Sequence, residues 1–165
     1  MNVIDLAGTQ GLGEMWPVYA ADLGRMAMAA ACGAVVGWQR ERHEKAAGLR
    51  THMLLAIGAC LFTLVALRVL PNGIAPVMQG IVTGTGFLAG GVIFREGVSV
   101  RGLTTAVGLW LMGAVGLAVG VGEYFVAILA TLLTFIILSV LQRVEQKYGG
   151  RPDKGPAEPG HGGGQ

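Results

Sequence analysis

RERHEKAAGLRTHMLLAIG, residues 40–58, sets Arg40, Arg42, His43, Lys45 and Arg50 directly against an apolar run that continues to Leu70. Such a junction fits a nucleic-acid patch, a metal site, a catalytic loop or the edge of a membrane span, and the surrounding chain discriminates among them. Of the 165 residues 53% are hydrophobic and only 13% charged, with a mean hydropathy of +0.59. A soluble domain carries about 25% charged residues. The apolar residues also come in blocks rather than in a stripe, the pattern of helices whose every face is buried or lipid-facing.

A hydrocarbon core about 30 Å thick takes roughly 20 apolar residues per helix. Five blocks approach that length: Val18–Trp38, His52–Leu70, Val77–Phe94, Leu103–Val121 and Tyr124–Leu141. The sequence therefore predicts an all-α integral membrane bundle of five transmembrane helices over residues 18–141. The breaks are chemically apt: the charged stretch 40–50, PNGIAP at 71–76, and REGVSVRG at 95–102; GVGE at 120–123 allows a tight hairpin between the last two spans. Residues 1–17 carry acids and no basic start, so they read as a short external segment rather than a signal peptide. Residues 142–165 end in a Gly/Pro-rich tail with too little apolar surface to fold, expected to be disordered in the cytoplasm.

Lys and Arg near span ends set orientation. Arg40, Arg42, Lys45, Arg50, Arg95, Arg101, Arg143, Lys147, Arg151 and Lys154, ten of the twelve, fall on one side. That side is then the cytoplasm, with the N-terminus outside and the C-terminus inside. Asp5, Glu14, Asp22 and Glu123 fall on the other side, and Trp16, Tyr19, Trp38 and Tyr148 suit the interfacial belts.

Catalytic chemistry has little to stand on. Cys32 and Cys60 lie in apolar spans without metal-site spacing, and His43, His52 and His161 lack a second ligand at helical spacing. No nucleophile triad, phosphate loop or paired carboxylate is present. The chain reads as a non-enzyme with no catalytic residue, metal or cofactor, and with no nucleic-acid partner.

Glycine says more. Of its 28 glycines, Gly33 and Gly37, Gly80 and Gly84, Gly86 and Gly90, and Gly116 and Gly120 are each four apart. Small residues at that spacing let helix backbones approach closely in lipid. The third span adds Thr83 and Thr85, which allows a flexible or ligand-facing backbone instead. Arg25 and Arg68 are the cations inside spans. Arg25 is expected to pair with Asp22 or to snorkel, and Arg68 to snorkel.

The second and fourth spans both start at the basic side, where free N–H groups and the positive end of the helix dipole attract anions. Both are introduced by related chemistry, GLRTH at 48–52 and RGLTT at 101–105. Arg50, Thr51, His52, Arg101, Thr104 and Thr105 are thus candidates for an anion, lipid-headgroup or partner site. Lipid phosphates and the topology rule alone also explain the arginines.

These blocks resemble the MgtC/SapB family of bacterial inner-membrane proteins. The likeness runs from about Leu23 to Arg143 and rests on GAVVGWQRERHEKAAGLRTHMLLAIGA, QGIVTGTGFLAGGVIFREGVSVRGLTTAVGLW and GAVGLAVGVGEYFVAILAT. The resemblance implies a multi-pass inner-membrane protein linked to growth under magnesium limitation, to survival of pathogens in macrophages, and to inhibition of the proton-driven ATP synthase. Two departures stand out: Gln39 occupies a place where many members carry Glu, and long members append a folded cytoplasmic domain where this chain has its short tail.

Two functions follow as expectations. One is a regulator whose glycine-rich helices bind another membrane protein such as ATP synthase, or its own copies. The other is an oligomeric transporter or channel for an anion or small solute.

Overall fold

The computed structural model describes residues 12–70 and 73–148. These residues form five helices, α1 (Leu12–Arg42), α2 (Leu49–Val69), α3 (Ile74–Gly90), α4 (Leu103–Val121) and α5 (Tyr124–Tyr148), with a β-hairpin between α3 and α4. All but α3 are long and apolar enough to cross a membrane. α3 has 17 residues, about 26 Å at the helical rise and so slightly short of the roughly 30 Å hydrocarbon thickness.

The third span differs from the expected Val77–Phe94. α3 starts earlier, at Ile74, because Pro76 falls in its first turn, where a missing N–H leaves no bond unmade. It stops at Gly90, and the N–H of Gly91 turns back to Leu88 O. Phe94 belongs instead to β1 (Phe94–Glu96), which pairs antiparallel with β2 (Ser99–Arg101). The charged connection 95–102 is therefore not a plain loop: Gly97 takes φ +61 and turns the chain. At the other boundaries, α1 already includes Leu12–Pro17, and α5 runs past Leu141 to Tyr148. The expectations for Asp5 and for the tail beyond Tyr148 lie outside the described residues.

α4 is the most enclosed helix and touches the other four. Its Met112, Val115 and Val119 pack with Ala29, Cys32 and Val36 of α1, Ala56, Cys60 and Leu64 of α2, and Ala127 of α5. Close approach is possible because side chains are missing at the crossings. A side-chain carbon at Gly33 would lie 2.6 Å from His52 O, one at Gly37 2.8 Å from Leu49 Cα, and one at Gly120 2.6 Å from Thr63 Cβ. At Gly116 it would collide with Ala56 O. α2 and α4 therefore run side by side and parallel, with α1 antiparallel against both.

The in-span ions are arranged differently from the expected Asp22–Arg25 pair. Asp22 is bonded by Arg68 of α2, which also lies over Tyr19. Arg25 donates from Nε to Tyr124 Oη at 3.0 Å and from Nη1 to Gly120 O at 3.2 Å. Residues on neighbouring helices thus satisfy both arginines, and the three contacts tie α1 to α2, α4 and α5 at one end of the bundle.

The glycines separate into two sets. Gly80, Gly84 and Gly90 have no atom within 4 Å of a built side-chain carbon, and Gly86 has only Trp110 at 3.7 Å. Gly116→Val is expected to destabilise the protein by about 1–3 kcal/mol through overpacking. Gly84→Ala is expected to be neutral or stabilising by up to about 1 kcal/mol. Thermal unfolding in mild detergent checks this, and equal losses at both positions would contradict the division.

Candidate functional site

The end of the bundle opposite the Asp22–Arg68 pair gathers the polar side chains. α1 carries a buried row, Ala29, Cys32, Gly33, Val36 and Gly37, at helical spacing, and Gln39 and Arg40 continue it. Arg40 is only 5% exposed. Its Nη2 donates to Thr105 Oγ1 at 2.6 Å, in the first turn of α4. Its Nε has no partner, and no carboxylate lies within ion-pair distance of it among the described residues. Beside it Gln39 donates from Nε2 to Ser139 Oγ of α5 at 2.9 Å, and its Oε1 is unpaired.

The short loop between α1 and α2 is held by its own ends. Glu41 Oε2 accepts from Leu49 N at 2.7 Å, capping α2 with a carboxylate, which suits the positive end of the helix. Gly48 permits this, since an added carbon there would sit 2.8 Å from the same oxygen. Arg42 stacks over Trp38 at 4.3 Å from the ring centroid. His43 Nδ1 donates to Gln39 O at 2.7 Å.

His52 is fully buried, and its Nδ1 donates to Gly48 O at 2.8 Å. A proton on Nδ1 leaves Nε2 of the neutral ring as an acceptor, and that atom is unpaired. Nε2 faces Gly108 of α4, where a side-chain carbon would come within 3.9 Å. His52 thus bridges the same three helices as the close-packed glycines.

Two cavities flank this end. The smaller, about 350 Å³, is lined by Arg40 and Lys45, by Gly102, Leu103, Thr104 and Thr105 at the start of α4, and by Ile137, Leu138 and Leu141 of α5. Gly102 has φ +89, and a side chain there would strike Val92 O, so the turn into α4 requires glycine. No side chain caps α4. The larger, about 780 Å³, is an apolar groove between α2 and α3 with Arg50 and Thr51 at one end, Phe62 and Val77 further along, and Gly58, Gly80 and Gly84 in its walls.

The six residues singled out from GLRTH and RGLTT are consequently not gathered around one ligand. Arg50 and Thr51 line the groove, Thr104 and Thr105 the smaller cavity, and His52 sits between helices. Arg101 lines neither cavity; its Nε pairs with Glu96 Oε2 at 2.9 Å across the exposed hairpin. Arg40, Lys45 and the Gln39–Ser139 link went unrecognised in the sequence. The signal was there for Arg40, which falls on the Gly33–Gly37 face of α1 rather than on its charged end.

A bundle of long apolar helices, closed by interhelical glycines and ending in a cation-lined pocket, defines a multi-spanning membrane protein. The chain belongs to the MgtC family, which it matches over residues 26–147. It is 38% identical over 120 residues to protein MgtC of Salmonella typhimurium LT2, covering 73% of this chain and 52% of that one. It is 42% identical over 115 residues to an uncharacterized Synechocystis protein, covering 68% and 48%. An Escherichia coli K12 relative provisionally named a magnesium transporter, YhiD, is 35% identical over 130 residues, covering 73% and 60%. The chain thus spans about half the length of these relatives. No solved structure matches it.

Thr105→Val should cost about 1–3 kcal/mol, because it strips from a buried guanidinium the hydrogen bond it makes among the described residues. Arg101→Gln, which breaks an exposed pair, should change stability by less than about 1 kcal/mol. Denaturation in detergent compares them, and a Thr105→Val protein as stable as the parent would refute the assignment.

Proposed function

We propose that this chain is a bacterial inner-membrane regulator in adaptation to low magnesium. It acts by helix contacts on another membrane protein, with proton-driven ATP synthase as the leading target, and it performs no catalysis. The arginine-rich end faces the cytoplasm, with the N-terminus outside. That orientation follows the positive-inside rule, since Arg40, Arg42, Lys45, Arg50, Arg95 and Arg101 all lie at or near that end.

The observation that carries the reading is the groove between α2 and α3. Glycines that pack a chain against itself are filled, as at Gly33 and Gly116; those at Gly58, Gly80 and Gly84 face empty space within one apolar groove. Small residues at four-residue spacing on a lipid-facing helix favour close approach of a further helix. A transmembrane helix of a partner, or of a second copy, fits that surface.

The magnesium-transport name of the Escherichia coli relative suggests the competing reading, an oligomeric transporter. Asp22 does not favour a cation path, because it is already neutralised by Arg68. Vesicles containing the purified protein decide between the two readings. The regulator shows no flux of magnesium or phosphate above empty vesicles, and a clear flux would overturn it.

Capture from mild detergent is expected to recover a second membrane protein with the parent chain and to fail with Gly84→Leu, at equal membrane level. A deletion strain grown across a magnesium series should differ from the parent in ATP and membrane potential at the low end. Self-complexes alone, with unchanged ATP and potential, would refute the regulatory reading.

A further inference from the structure

We propose that the 350 Å³ cavity beside Arg40 is a binding site for a phosphate group, carried by a free phosphate-bearing anion or by the headgroup of a membrane phospholipid. The site stands on its own geometry and is independent of the regulatory role and of the α2–α3 groove.

A guanidinium buried to 5% exposure at the edge of a membrane bundle is costly unless an anion compensates it. Among the described residues the Arg40 guanidinium hydrogen-bonds only to the Thr105 hydroxyl, and its Nε is left without an acceptor. Three further features point the same way. Lys45 places a second cation in the same wall. α4 begins there after Gly102 with no side-chain cap, so its first N–H groups and the positive end of its dipole lie at the cavity. Thr104 and Thr105 add hydroxyls, giving donors on several sides.

The class of ligand follows from that donor set. A carboxylate offers two oxygens in one plane, whereas a phosphate offers oxygens in several directions. Arginine together with a helix N-terminus is the standard recognition for it. The remaining wall is apolar, from Leu138 and Leu141 of α5, which suits the glycerol and first methylenes of a lipid as well as it closes off a small anion.

Purified full-length protein tests the site in two arms. In delipidated detergent samples at constant ionic strength, inorganic phosphate should raise the unfolding temperature more than chloride does. In nanodiscs of phosphatidylglycerol, native mass spectrometry should find lipid retained on the parent protein after ejection. Arg40→Gln removes the central group but risks the fold. Lys45→Gln is therefore the deciding variant, expected to weaken binding about tenfold, the worth of roughly one charge-assisted hydrogen bond. Arg95→Gln, the same charge change in the hairpin, should bind as the parent does. A Lys45-dependent effect in the phosphate arm alone identifies a free anion, and one in the lipid arm alone or in both identifies a headgroup. Binding in neither arm, or equal loss in the Lys45 and Arg95 variants, overturns the site.

Discussion

The contact of α1, α2 and α4 at their glycines is the constraint on which the other features depend. In lipid, apolar side chains gain nothing by leaving one apolar surroundings for another, so association rests on dispersion, hydrogen bonds and close fit. Gly33 and Gly37 bring α1 against His52 and Leu49, and Gly116 and Gly120 bring α4 against Ala56 and Thr63. Inside this packing Thr63 spends its hydroxyl on its own helix, bonding Ala59 O. The three-helix core can then be tight without leaving polar atoms exposed to lipid.

That core also explains why polar groups are driven to the two ends. At one end Asp22, Arg68 and Arg25 lie where Arg25 can reach Gly120 O and Tyr124. At the other, the face of α1 that carries Gly33 and Gly37 inward carries Arg40 inward as well. The guanidinium is buried because its helix is held close, and Thr105 meets it because α4 starts at the same level. Had α1 been rotated to release Arg40 to solvent, Gly33 and Gly37 would have left the α2 contact.

Much of this was legible in the residues, for a physical reason. Block hydrophobicity reports lipid exposure directly, so five helices and the breaks between them could be read without any contact information. Boundaries governed by local chemistry were less legible. Pro76 reads as a breaker in sequence but stands in the first turn of α3, and the three-residue strands around Gly97 are too short to leave an alternating pattern. Pairings between helices were least legible. Asp22 finds Arg68 across the bundle rather than Arg25 one turn away, because interhelical geometry is set by the glycine contacts. The likeness of GLRTH and RGLTT misled for a related reason: the two helix starts share an end of the bundle, but Arg50 turns toward α3 and Thr105 toward Arg40.

α3 and α5 stand outside the close-packed core, and each of the two cavities is walled by one of them. α3 is short and leaves its Gly80–Gly84 edge open toward α2; α5 is the long helix with the least buried span and closes the pocket at Arg40 with Leu138 and Leu141. A helix shorter than the hydrocarbon thickness is accommodated by local thinning or by association with a neighbour, and both draw headgroups or partner helices toward α3. The glycines of α1 and α4 and the ions that tie them are thereby separated from the open Gly80–Gly84 edge of α3. Substitutions on the open edge of α3 leave the contacts of the bundle in place, whereas the same changes at the glycines of α1 or α4 act on the fold first.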